Sequence, residues 1–181
     1  PNLIARRLGN CESVLCASPG YVAAQGMPAH PADLALHHCL TYTYFGRSLW
    51  EFKDARGERI SVPVGGALSA NESQVLLAAS VAGAGISMQP AFAAAPLLLS
   101  GALVQVLPAF EPQSLGIHAI FATRRQMTPV LRAMVEMLVA HFSDPAHWPP
   151  RLGPALPSPA GPAAAVATRR TRGASRPAGP A

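Results

Sequence analysis

The chain has 181 residues, half of them hydrophobic and 13% charged, which is enough for one domain, or two small lobes, with a proper core. The net charge of +5 is uneven: residues 144–181 hold five arginines and one acid, leaving nine basic against eight acidic residues in the body. A basic nucleic-acid-binding face on the folded part is therefore not indicated.

In chain order, "SVLCA" (13–17) reads as a buried strand. "SPGYVAAQG" follows, with Ser18 as a helix N-cap, Pro19 at the first helical position and Gly26 as the stop. In "HPADLALHHC", Pro31 starts a short helical turn that ends near His37, and "CLTYTY" (39–44) has strand-type residues. "LWEFK" and "RISVPV", joined through Arg56-Gly57-Glu58, predict a hairpin in which Trp50, Phe52, Ile60 and Val62 alternate with polar neighbours. Pro63 lacks an amide hydrogen and fits an edge position.

The stretch "SANESQVLLAASVAGAGISMQP" (69–90) pairs a Gly-x-Gly with apolar runs. A dinucleotide fingerprint needs its glycines between a strand and the helix that follows. Here the helix comes first. Asn71 is placed to cap it, with Gln74 three residues on, and Val75, Leu76, Ala79 and Ala82 recur at helical spacing. Gly83 stands where a left-handed residue closes a helix, and Ile86, Ser87 and Met88 read as the next strand. With residues 67–70 as the strand before, the unit is a compact βαβ. In open parallel sheets ligands bind beyond the carboxyl ends of the strands, where helix N-termini present free amides. Ser69, Ala70 and Asn71 occupy such a place. For Asn71 two readings stand: a cap and nothing more, or a ligand contact.

Further on, "AFAAAPLLL" is helical until Gly101, and "ALVQVL" and "GIHAIFA" (116–122) are strands. Thr128 caps a last helix with Pro129 at its first position and Leu131, Met134, Val135, Leu138 and Phe142 along one face. Strands and helices alternate around an inserted hairpin, so the class is α/β. Residues 144–181, dominated by Pro, Ala and Gly, are expected to be a disordered tail. The 38 residues 73–110 carry no charge, but glycines and prolines interrupt them. Buried α/β layers, rather than a membrane span, account for such a run.

Chemistry-bearing patterns are sparse. "HHC" (37–39) has no second cluster at metal-ligand spacing, so no metal is expected. "CASPG" is not G-x-S-x-G, there is no Walker A motif, and the acids are scattered without an acid–base spacing. The expectation is no enzyme, no catalytic residues and no cofactor. Cys11, Cys16 and Cys39 form no C-x-x-C and leave one thiol over, which favours reduced cysteines in a cytoplasmic protein.

Together the stretches "ARRLG", "VLCASPGYVAAQGMPAHPADLALHHCL", the W-x-F at 50–52, "NESQVLLAASVAGAGISMQPAF", "GALVQVLPAF" and "TPVLRAMVEMLVAHF" resemble, in order, the LysR-type transcriptional regulators. The resemblance is to the later two-thirds of their effector-binding domain and covers about residues 3–142. It implies a periplasmic-binding-protein-like (type 2) fold of two Rossmann-like α/β lobes, the second complete and the first partial. Residues 1–18 would be a crossing strand and remnant of the first lobe, with a hinge at Ala17 and Ser18. Residues 19–106 would be the second lobe, and 107–143 the return strand and last helix of the first.

A small, often anionic organic effector would sit between the lobes, against Ser69, Asn71, Gln89, Pro90 and Tyr42. Gln89 stands where the family usually has an apolar residue, so its side chain reaches either the pocket or solvent. The winged helix-turn-helix of the family is missing from the sequence, which reads as a truncated piece. DNA would be a partner only through that domain, and the full-length protein would be a homodimer or homotetramer, with no membrane partner. The rival reading on the same architecture is a solute-binding protein of a transport system.

Overall fold

The computed structural model describes residues 3–43, 49–66, 68–122 and 128–144. The tail from residue 145, Tyr44 of the expected strand, and Ala67 lie outside them.

A five-stranded sheet forms the centre. It contains β2 (Ser13–Ala17), β3 (Cys39–Tyr42), β6 (Ser69–Ala70), β7 (Ile86–Pro90) and β8 (Val104–Val106), in the order β6-β3-β7-β2-β8. β3 runs parallel to both β6 and β7, while β2 is antiparallel to β7 and β8. The expected βαβ unit is present, with β3 lying between its two strands. Period-two alternation along β2 sends Leu15 and Ala17 to one face and Val14 and Cys16 to the other. The first pair joins a core with Tyr21, Leu34, Ile86 and Val106, and the second a core with Leu77, Ala94, Leu98 and Leu103. Burial on both faces explains why the run from residue 73 to 110 carries no charge.

Local signals set the helices on one side. α1 (Pro19–Gln25) is capped by Ser18, whose Oγ accepts the Tyr21 amide at 3.1 Å, and Gly26 ends it. A 3-10 turn (Pro31–Leu36) closes with a reciprocal cap. There His30 accepts the Ala32 amide, and Asp33 accepts those of Ala29 and His30 at 3.0 and 2.9 Å. Those backbone donors hold the Asp33 carboxyl below its usual range.

α2 (Ser73–Val81) departs from the sequence expectation in two ways. It begins after Glu72 with no side-chain cap, so exposed Asn71 is not its cap. The chain uses Asn71 and Glu72 to turn out of β6, and this moves the helix start along. Its buried face is Leu76, Leu77 and Ser80, whereas Val75 is 49% exposed and Ala82 is also outside. Nearly every residue from 75 to 82 is apolar or small, so spacing alone did not pick out the inward face. The helix end is as expected. Gly83, at φ 84°, donates to Ser80 O, and Ala84 donates to Ala79 O at 2.9 Å, a Schellman closure. α3 (Ala91–Leu99) follows and buries Ala94 and Leu98.

The hairpin β4 (Leu49–Lys53) and β5 (Arg59–Pro63) has the expected register, pairing Trp50 with Val62 and Phe52 with Ile60. Trp50, Phe52 and Val62 are buried against the first core, and Pro63 is on an edge strand. β9 (Glu111–Pro112), too short to leave a pattern, pairs with β4 on its other side.

A separate two-stranded sheet is made by β1 (Ile4–Cys11) and β10 (Leu115–Phe121), antiparallel. Within residues 1–18, expected as a crossing strand and a remnant of the first lobe, β1 has no alternation to mark its bounds, since "IARRLGNC" buries only Leu8 and Cys11. α4 (Pro129–Ser143), capped by Thr128 as expected, packs on β1. Val135 is its buried residue, Leu131, Leu138 and Phe142 are half-buried, and Met134 is 54% exposed rather than inward.

Candidate functional site

The carboxyl ends of β3 and β7 deliver Thr41–Tyr42 and Met88–Gln89–Pro90 to one wall of a cavity of about 300 Å³. The start of β4 supplies Leu49, Trp50 and Glu51, the start of β2 supplies Ser13, and the passage from β9 to β10 supplies Gln113 and Leu115. The volume is at the small end of the range for small-molecule sites. Its position, outside the carboxyl ends of parallel strands, is where open α/β sheets take ligands.

Gln89 dominates the wall chemically. It is 0% exposed, and its Oε1 accepts a 2.7 Å hydrogen bond from Ser73 Oγ. Its Nε2 has no partner, alone among the buried side-chain polar atoms of the described residues. A buried amide donor without an acceptor costs about 1–3 kcal/mol, so an orphan on a residue that lines a cavity calls for a partner there. Ser73 opens α2, and no side chain caps that helix. The uncapped first turn of α2, which carries a partial positive charge, is thus joined to Gln89 through Ser73.

Of the residues singled out from sequence, Tyr42, Gln89 and Pro90 line this cavity together. Ser69 does not. It is exposed and reaches the site through Thr41, with the two hydroxyl oxygens 2.7 Å apart. Asn71 is exposed at the bend before α2 and is not among the lining residues. Gln89 is fully buried, so its side chain does not point to solvent. Ala17 pairs with Val104 and is fully buried, and Ser18 caps α1, so both sit inside the five-stranded unit. The chain passes between that unit and the β1–β10 sheet at Glu12 and again at residues 113–114. Sequence reasoning missed Ser13, Thr41, Leu49, Trp50, Glu51, Met88, Gln113 and Leu115. Their convergence depends on the hairpin folding over the sheet, and no local pattern reports it.

Other reactive groups are tied into the core. Burial pushes the Cys16 thiol up to about 11 and the Cys39 thiol up to about 12, so both are protonated and poor nucleophiles at neutral pH. Burial likewise raises the Cys11 thiol, with the neighbouring Glu12 charge adding to it. His38 donates its backbone N–H to Tyr21 Oη at 3.0 Å, and His37 Nδ1 lies 3.2 Å from the same oxygen. Among the described residues no three His, Cys, Asp or Glu side chains are grouped to hold a metal ion. No helix of the described residues is long and apolar enough to cross a membrane.

A mixed sheet buried on both faces, with a ligand-sized cavity at its strand ends beside a second, smaller sheet, defines an α/β protein of the open-sheet class. The architecture is that of the periplasmic-binding-protein-like type 2 fold. Residues 1–143 match the LysR substrate binding domain, and the chain belongs to that family.

Among relatives, it is 33% identical to the HTH-type transcriptional regulator DmlR of Escherichia coli, over 82% of this chain and 48% of that one. It is 34% identical to the HTH-type transcriptional activator TtdR of Escherichia coli, over 76% and 44%. The chain thus spans about half the length of the curated relatives it matches. Among solved structures, it is similar to the regulatory domain of an AphB variant from Vibrio vulnificus, with TM-score 0.66 and 29% identity, over 76% of this chain and 69% of that one. The regulatory domain of CrgA from Neisseria meningitidis matches with TM-score 0.64 and 25% identity, over 77% and 69%.

Proposed function

We propose that this chain is the effector-sensing part of a bacterial LysR-type transcriptional regulator, and that its effector is a small organic molecule bound against Gln89. The observation that carries the reading is the unpaired Nε2 of a fully buried glutamine in the wall of a largely apolar cavity at the strand ends. An acceptor group on the effector, an anionic one being favoured by the α2 amides, satisfies that donor. Tyr42 and Pro90 shape the same wall. Ser69 and Asn71 act from just outside it, Ser69 by orienting Thr41.

Binding closes one lobe, represented by β1, β10 and α4, onto the five-stranded lobe. The relative arrangement of subunits in a homodimer or homotetramer shifts with it. DNA is contacted by a helix-turn-helix domain outside this sequence. The protein works in the cytoplasm and carries out no reaction: its thiols are buried, and no acid–base pair is found among the described residues that line the cavity. A transport role on the same architecture is less favoured, because the matched relatives are named as transcriptional regulators.

Trp50 lies in the cavity wall, so its fluorescence reports occupancy when candidate metabolites are titrated. The compound that shifts the emission should bind much more weakly to Gln89→Met. Equal binding by that variant would reject the cavity, and unchanged affinity in Asn71→Ala would remove Asn71 from the site.

A further inference from the structure

Resting on the cavity being the effector site, we propose that the effector carries an amine cation at the end opposite its acceptor group, held by Glu51. A zwitterion of the ω-amino-acid type, with its carboxylate and ammonium at opposite ends of an apolar body, has this chemistry. Among the described lining residues, Glu51 is the one charged residue. Its backbone carbonyl is engaged by the Gln113 amide, while its carboxylate makes no hydrogen bond or ion pair with a described residue. The cavity of about 300 Å³ is narrower than the Debye length of about 8–10 Å, so a ligand charge inside it is not screened from Glu51.

A ligand that is only an anion would therefore meet repulsion at one end for every hydrogen bond it gains at Gln89. A ligand with a carboxylate or carbonyl at one end and an ammonium at the other satisfies both groups, and its body lies on Leu49, Trp50 and Met88. The two polar groups come from different parts of the fold, β7 and the hairpin strand β4, so the cavity reads the separation of two charges rather than one.

The test uses the whole chain in calorimetric titrations with matched probes: 3-[4-(aminomethyl)phenyl]propionate, whose ammonium and carboxylate stand at opposite ends, and 3-phenylpropionate, which has the same ring and carboxylate but no amine. The aminomethyl compound should bind roughly tenfold to a hundredfold more tightly, the range for a charge-assisted hydrogen bond. Glu51→Gln should remove that advantage and leave 3-phenylpropionate unweakened. Circular dichroism of the variant checks that the hairpin is intact. Equal or tighter binding of 3-phenylpropionate, an advantage that survives Glu51→Gln, or binding by neither probe overturns the proposal. If 3-phenylpropionate alone binds and Gln89→Met abolishes it, the cavity stands as the effector site and only the cationic end is wrong. If Gln89→Met leaves every binding unchanged, the site itself is wrong.

Discussion

Gln89→Met separates a ligand-binding glutamine from a structural one, because the two roles give stability changes of opposite sign. Met keeps the unbranched length and removes both polar atoms. In the ligand-free chain, the buried Nε2 without an acceptor costs about 1–3 kcal/mol, and the bond that Oε1 receives from Ser73 returns about 1 kcal/mol. Ser73 is only half-buried, so its hydroxyl finds water once the glutamine is gone. The variant should therefore be between unchanged and about 2 kcal/mol more stable.

Urea unfolding followed by far-UV circular dichroism measures this, with a raised midpoint at unchanged slope as the expected outcome. Effector affinity should move the other way, dropping at least about tenfold if the acceptor is charged. Such a trade between stability and binding is expected where a site keeps a polar group unsatisfied for its ligand. A loss of about 2 kcal/mol or more in the variant would refute the reasoning, since it would mean that the amide is fully satisfied in the free protein.

Gly85→Ala should cost about 3 kcal/mol or more or prevent folding, because an added Cβ would lie 2.3 Å from His38 O, the acceptor of the Ile86 amide that joins β3 to β7. Gly20→Ala in α1, with nothing within 4 Å, is the control and should be neutral or stabilising by up to about 1 kcal/mol in the same urea assay. Ser80→Ala should lose about 1–2 kcal/mol by chemical denaturation, since its fully buried hydroxyl bridges Leu76 O at 3.1 Å and Ser87 Oγ at 2.6 Å. Raising the pH should erode stability from about 9 upward. Cys16 and Cys39 keep their protons until about 11 and 12, whereas unfolded thiols lose theirs near 9.0. Their contribution is therefore complete below pH 9 and is lost as the pH climbs through those folded values. A urea midpoint that stays flat across that window would contradict the burial of these thiols.

Much of the framework could be read along the chain because it is written in short-range chemistry. Ser18 and Thr128 cap their helices, and prolines open α1, the 3-10 turn and α4. Gly83 closes α2, and the alternation from Trp50 to Val62 sets the hairpin register. Each depends on side chains a few residues apart, whose backbone preferences hold whatever surrounds them. Tyr42 and Pro90, by contrast, are implied through the resemblance to LysR-type regulators, and strand alternation leaves Gln89 a position that could face either way.

Tertiary structure decided the rest. Which face of α2 turns inward depended on Ser80 meeting Ser87 of β7, and an almost uniformly apolar helix does not announce that choice. Burial of Gln89 followed from Ser73 reaching it from the next layer. Trp50 and Glu51 became cavity residues only because the hairpin lies over the strand ends. Local preferences act through backbone dihedrals and near-neighbour hydrogen bonds, whereas a binding site is a coincidence of distant segments. Packing free energy, summed over the whole core, selects that coincidence, and no window of the sequence contains it.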